Sequence, residues 1–167
     1  RYGGVPLITK VQNFDGTNLE ELKVFRNTEK EIYDFISKEL DEAALLLEET
    51  SFRGRVNKNV VYAFKSRAML YAASIAKYGS LDLNGLVGIP AADADMYWQQ
   101  AYDAAKKVID GGRYSLYKKI ADKTQNFQQL FLDEASNPEA IFVRIYTYPL
   151  KAHSYDTYNI PWGLRGG

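Results

Sequence analysis

Apolar and polar positions along the chain alternate with a helical period in several stretches and with no period between them. Ile32, Phe35, Ile36, Leu40, Ala43, Ala44 and Leu47 recur at steps of three and four, while Glu29, Lys30, Asp34, Lys38, Glu39, Asp41, Glu42 and Glu48 take the other side. This spacing predicts an amphipathic helix. Thr28-Glu29-Lys30-Glu31 marks its start, a cap hydroxyl followed three residues on by a carboxylate. Residues 54–79 predict a second, longer helix, with Asn57 as N-cap, Lys77 in the last turn and Gly79 as the left-handed residue after its end. Val61, Phe64, Ala68, Tyr71, Ala72 and Ile75 mark one face, and Val60, Ala63, Leu70, Ala73 and Ser74 fill the opposite one. A helix apolar nearly all round is expected to be buried on more than one side. The connection 50–54 between the two helices is short, which predicts an antiparallel hairpin.

A third helix is predicted from Asp93 or Asp95 to Gly111-Gly112. Tyr97, Ala101, Ala104, Ala105 and Val108 share a face, and Trp98, Tyr102 and Ile109 stand beside it. Core packing is the expected role of Tyr97, Trp98 and Tyr102. Residues 113–117 read as an extended link, and Asn126-Phe127-Gln128-Gln129 as the start of a short fourth helix through Leu132. Residues 140–146, AIFVRIY, are rich in branched and aromatic side chains and predict a short strand. The first sixteen residues hold two glycines and a proline and read as an extended segment laid over the helices, closed by the turn signal Asp15-Gly16-Thr17-Asn18. From Thr147 onward the pattern dissolves. The predicted fold class is therefore mainly α: tetratricopeptide-like helical hairpins with irregular, loop-rich ends. The tetratricopeptide signature and its period are absent, so no regular repeat is expected.

Composition narrows the function classes. A chain of 167 residues suits one domain. Lys and Arg balance Asp and Glu at 21 each, so no basic excess exists to displace phosphate counterions, and nucleic acid is not an expected partner. There is no cysteine, which excludes disulfides, thiolate chemistry and cysteine-built zinc sites. No uncharged apolar run reaches the length of a membrane span. Aromatic content is dominated by 13 Tyr, whose apolar face and polar tip serve both cores and wet binding surfaces.

Catalytic candidates are sparse. His153 is the single histidine, and nothing local marks a serine or buried acid to go with it. Asp82, Asn84, Asp93 and Asp95 invite a calcium reading, but the glycine falls too early for the EF-hand spacing; turn and cap roles are the alternative. Glu48, Glu49, Asp133 and Glu134 are the acids available for paired-carboxylate chemistry, and all lie on polar faces or ends of predicted helices. Neither a catalytic set nor a cofactor is expected. Trp162, Tyr155 and Tyr158 differ from the other aromatics because no periodicity buries them. They are candidate ligand-binding residues, a flat apolar platform for a sugar ring; the alternative is that they fold back onto the helices.

Four stretches, in order, resemble the SusD/RagB family of outer-membrane nutrient-binding lipoproteins. They are Tyr2-Gly3-Gly4-Val5-Pro6-Leu7-Ile8; Gly54-Arg55-Val56-Asn57-Lys58 running into Tyr62-Ala63-Phe64-Lys65-Ser66-Arg67-Ala68-Met69-Leu70-Tyr71-Ala72-Ala73; residues 97–112 followed by Tyr114-Ser115-Leu116; and Phe127-Gln128-Gln129-Leu130-Phe131 leading to Asn137-Pro138-Glu139-Ala140-Ile141-Phe142. The resemblance implies a helical core, a binding role and not an enzymatic one, and attachment to the outer face of the outer membrane through a lipid anchor. It implies oligosaccharide or another nutrient as ligand and a SusC-like TonB-dependent transporter as partner. Residues 1–167 are expected to form one helical domain, a partial SusD/RagB-like domain without the family's N-terminal and C-terminal parts or its lipid-attachment cysteine. A tetratricopeptide-like scaffold that binds another protein, with no small ligand, is the alternative function.

Overall fold

The structure, a computed structural model, describes residues 3–134, 136–147 and 149–164. Arg1 and Tyr2 of the opening segment, Ala135, and Tyr148 and 165–167 of the tail lie outside the described residues. The chain is mainly helical: α1 (Glu29–Leu46), α2 (Lys58–Tyr78), α3 (Ala94–Asp110), α4 (Lys123–Leu132) and the single-turn α5 (Tyr155–Asn159).

Local chemistry sets the helix limits. Thr28 and Glu31 form the reciprocal capping box at the start of α1: the Thr28 hydroxyl accepts from the Glu31 amide, and the Glu31 carboxylate accepts from the Thr28 amide. Asn57 caps α2 by accepting from the Val60 amide at 3.1 Å. Gly79 ends α2, yet its φ of −84° and ψ of 170° are extended, not left-handed. Glycine is needed there for closeness instead, since a Cβ would lie 2.4 Å from the Ile75 carbonyl oxygen. Asp122, four residues ahead of the predicted cap Asn126, caps α4 by accepting from the Gln125 amide. Asn126 instead ties α4 to the preceding link, accepting from Ile120 N and donating to Tyr117 O.

The core forms where α1 and α3 pack on α2. Met69, Ala72, Ala73 and Ala76 of α2 meet Ile89, Ala94, Tyr97 and Ala101, and Tyr33 and Ile36 of α1 close the flank. Alanines on α2 let the neighbouring backbones come close, and the fully buried Met69 contributes about 1.5–3 kcal/mol by removal from water. The buried line on α2 is Val61, Lys65, Met69, Ala72 and Ala76; of the expected face Val61 and Ala72 are buried and Ala68 and Ile75 pack on the core, but Phe64 and Tyr71 do not take part. Those two and Leu70 are exposed, at 59%, 38% and 49%. Periodicity alone cannot choose a face on a helix with apolar residues all round. On α3 the expected face holds, with Tyr97, Ala101, Ala104 and Val108 buried, but Tyr102 faces outward.

Polar contacts fix the relative placement of the helices. The Tyr97 hydroxyl donates to Asp34 Oδ1 at 2.6 Å, and Lys30 pairs with Asp34 at 2.7 Å. Burial, and then the hydrogen bond to Asp34, hold the Tyr97 hydroxyl far above the usual phenol range. Ser37 donates to Gln100 Oε1 at 2.8 Å, bridging α1 and α3. The Lys65 ammonium, its side chain only 9% exposed, reaches Asp41 Oδ2 at 2.6 Å.

The predicted strand at 140–146 does not form. Branched residues favour extended backbone, but a strand needs a partner, and no named strand exists among the described residues. The segment instead runs irregularly beside the α1–α2 loop. The opening segment docks only through its first described residues, with Gly4 N donating to Leu86 O at 2.6 Å and Asn27 N to Val5 O at 3.1 Å, while residues 8–16 are exposed and not laid over the helices as expected. Asp15 Oδ1 accepts from Thr17 N and Asn18 N, forming the expected turn.

Candidate functional site

The α1–α2 loop and the segment after α4 face each other across an open cleft. The loop is braced along its length. Ser51 Oγ donates to Arg55 O at 3.0 Å, Arg55 N to Phe52 O at 2.9 Å, Lys58 N to Glu48 O at 2.9 Å and Asn59 Nδ2 to Glu49 O at 3.2 Å. Gly54 turns the loop with a φ of +82°, and the Ile145 side chain packs 3.1 Å from where a Cβ would stand. The opposite wall is braced too. Asn137 Nδ2 donates to Leu130 O, Ser115 N to Pro138 O, and Tyr117 N to Glu139 Oε1 at 2.7 Å.

Between these walls lies a cleft of about 420 Å³, lined by Phe52, Arg53, Arg55, Arg113, Tyr114 and Glu134 among others. A second hollow of about 380 Å³ adjoins it, bounded by Arg53, Arg55, Phe142, Arg144, Ile145 and Lys151. Both volumes fall within the range of small-ligand sites. Beyond the second hollow the chain turns at Thr147 and Lys151, which exchange both backbone hydrogen bonds.

The tail holds the candidate platform residues. Tyr155 and Tyr158 lie on α5, and Trp162 opens a 3-10 turn at Trp162–Leu164. All three present most of their surface to solvent, at 66%, 75% and 83%. Tyr155 belongs to a ring series: its centroid is 6.3 Å from that of His153, which stands edge-to-face with Tyr146 at 5.2 Å. The Arg144 guanidinium lies over the Tyr146 ring at 5.0 Å, and the Lys151 ammonium at 5.6 Å. His153 Nδ1 accepts from Tyr155 N at 3.2 Å, so the histidine shapes the tail backbone.

Of the acids available for paired-carboxylate chemistry, Asp133 takes another role. Asp133 accepts from Lys119 Nζ at 2.6 Å, from Ser136 N at 3.0 Å and from the Tyr117 hydroxyl at 3.2 Å. The Lys119 hydrogen bond, followed by that from the Ser136 amide, holds its pKa well below the usual carboxylate range. Such a group holds its charge and does not shuttle protons near neutrality. Among the calcium candidates, Asp82 accepts from Leu83 N at 2.6 Å, Asn84 sits at a positive φ of 54°, and Asp93 lies 3.8 Å from Lys30. No group of three acids or histidines among the described residues stands close enough to hold a metal ion. The four arginines of the two hollows come from three segments, Arg53 and Arg55 from the α1–α2 loop, Arg113 from the link after α3 and Arg144 from the segment after α4, and only Arg55 falls in a stretch that carries the family resemblance.

No protein-family profile and no curated relative matches the sequence. Among solved structures, a SusD-like protein from Bacteroides fragilis is similar over 89% of this chain, with 25% identity and a TM-score of 0.62. The match spans 24% of that protein, so this chain corresponds to about a quarter of its length. The chain thus has a SusD-like helical fold, and the match supports placing it with the SusD-like proteins. No described helix is long and apolar enough to cross a membrane.

Proposed function

We propose that this chain is part of a lipid-anchored, cell-surface nutrient-binding protein that captures an oligosaccharide and delivers it to a SusC-like TonB-dependent transporter in the outer membrane. The carrying observation is the SusD-like arrangement of the helices over nearly the whole chain. On this reading residues 1–167 form one helical domain that supplies a scaffold. Ligand contacts come from its irregular borders, with Tyr155, Tyr158 and Trp162 as sugar platforms. Their exposure supports the role, because a stacking ring must leave a face open to its ligand. The role is binding and not catalysis: Asp133 is committed to Lys119 and Ser136.

Calorimetry against a panel of oligosaccharides tests the reading, with Trp162→Ala and Tyr155→Ala as controls. Loss of affinity in both variants supports the platform; unchanged affinity removes those residues from the site. A second reading, a scaffold that binds protein and no small ligand, is favoured by the exposed Leu45, Leu46 and Phe64 on α1 and α2. Co-purification with a β-barrel transporter, without any sugar affinity, would favour that reading.

A further inference from the structure

The charge of the molecule is balanced overall but not locally. The two adjoining hollows share Arg53, Gly54, Arg55 and Val143, so they form one continuous surface. Arg53, Arg55, Arg113, Arg144 and Lys151 line it, opposed by one carboxylate, Glu134. None of these five cations is in an ion pair with a described residue. The pairs that do form, such as Lys30–Asp34, Lys65–Asp41 and Lys119–Asp133, stand elsewhere. A cleft with one dominant sign of charge focuses the field on whatever enters it. Guanidinium groups, planar and always charged, match the paired oxygens of carboxylates and sulfates.

Two further observations separate this surface from a scatter of solvated arginines. First, the backbone carrying Arg53 and Arg55 is held by the Ser51–Arg55 and Phe52–Arg55 hydrogen bonds and by Ile145 against Gly54. The two guanidinium stems therefore leave a fixed base. Second, the basic surface runs without a break into rings: Arg144 and Lys151 cover Tyr146, Tyr146 meets His153, and His153 meets Tyr155. Cations beside a row of aromatic rings suit a ligand with anionic groups and flat CH faces on the same short chain. A neutral sugar would use the rings alone, and an extended acidic peptide the cations alone.

We infer that this surface selects an acidic oligosaccharide, its uronate carboxylates or sulfate esters held by Arg53, Arg55 and Arg113 and its sugar faces laid along Tyr146 and Tyr155. The inference rests on the nutrient-binding reading above and names the ligand class for it.

The test is calorimetry on the protein with four probes: trigalacturonate, a chondroitin sulfate tetrasaccharide, maltotriose and tetraglutamate, each at low and at raised ionic strength. At least one acidic sugar is expected to bind about tenfold or more tightly than maltotriose and to weaken as salt rises. Which of the two binds distinguishes carboxylate from sulfate recognition. The double variant Arg53→Gln, Arg113→Gln is expected to lose about tenfold in acidic-sugar affinity while keeping the wild-type melting temperature, since both side chains are exposed. Equal affinity for maltotriose and the acidic sugars, or an unchanged acidic-sugar affinity in the double variant, overturns the inference and leaves the nutrient-binding reading standing. Tighter binding of tetraglutamate than of either acidic sugar overturns the ligand class in favour of an acidic peptide. Failure of every sugar to bind, in wild type and variant alike, overturns both.

Discussion

Lys65 supplies a sharp test of how the helical core is assembled. Its side chain is 9% exposed and its ammonium lies 2.6 Å from Asp41 Oδ2, joining α2 to α1. The two partners differ in environment, because the Asp41 side chain is 54% exposed. Removing the carboxylate by Asp41→Asn strands an ammonium among packed helices. For a fully buried pair, stranding one charge costs about 3–5 kcal/mol. Water around the half-exposed position 41 takes over part of the lost contact, so a cost of about 1–3 kcal/mol is expected here. Lys65→Met removes the buried charge and keeps a similar volume, while Asp41 is left hydrated; its cost is expected to be within about 1 kcal/mol of zero. The double variant should resemble Lys65→Met, because Asp41 matters only while the ammonium is present. Urea denaturation of the four proteins, followed by circular dichroism, reads the cycle. A Lys65→Met cost equal to or above that of Asp41→Asn would refute the reasoning.

Other expectations follow from single contacts. Thr28→Ala removes one half of the capping box and is expected to cost about 1 kcal/mol in chemical denaturation. Gly88→Ala would put a Cβ 2.2 Å from the Ser80 carbonyl oxygen at a φ of +85°, so a lowered melting temperature is expected, and an unchanged one would contradict the geometry. Asp133 has a depressed folded-state pKa, so its stabilisation is present above the unfolded carboxylate value and is lost as pH falls from about 4 toward the folded value. Asp133→Asn is therefore expected to flatten the acid limb of the stability profile below about pH 4, measured as melting temperature against pH.

Much of the helical frame was legible because its signals are local. Thr28 with Glu31, and Asn57 before an apolar run, are contained within one turn of chain, and each caps the helix it was expected to cap. Tyr97, Ala101, Ala104 and Val108 stand out because they recur at steps of three and four along α3, and all four are buried. Where local signals compete, the sequence does not show which one the fold uses. Asp122-Lys123-Thr124-Gln125 carries a capping pattern as good as Asn126-Phe127-Gln128-Gln129, and the earlier one is used. The run at 140–146 has strand propensity, but propensity does not supply a partner strand. Lys65 is a charge within an apolar helix, and the partner that lets it be buried is Asp41, 24 residues away on α1. The basic surface was hidden for the same reason. Arg53, Arg113 and Arg144 come from three segments, and only their common cleft gives them meaning. Whether Trp162, Tyr155 and Tyr158 stand free or fold back onto the helices was open in the sequence, and the fold leaves them exposed.

We propose that a SusD-like helical core supports a sugar-binding surface. Equilibrium binding of the protein to an oligosaccharide panel that includes neutral, uronate-bearing and sulfated members tests it most directly. Saturable binding of at least one member, weakened by Tyr155→Ala or Trp162→Ala, is the expected result. Absence of binding across the whole panel would contradict the claim.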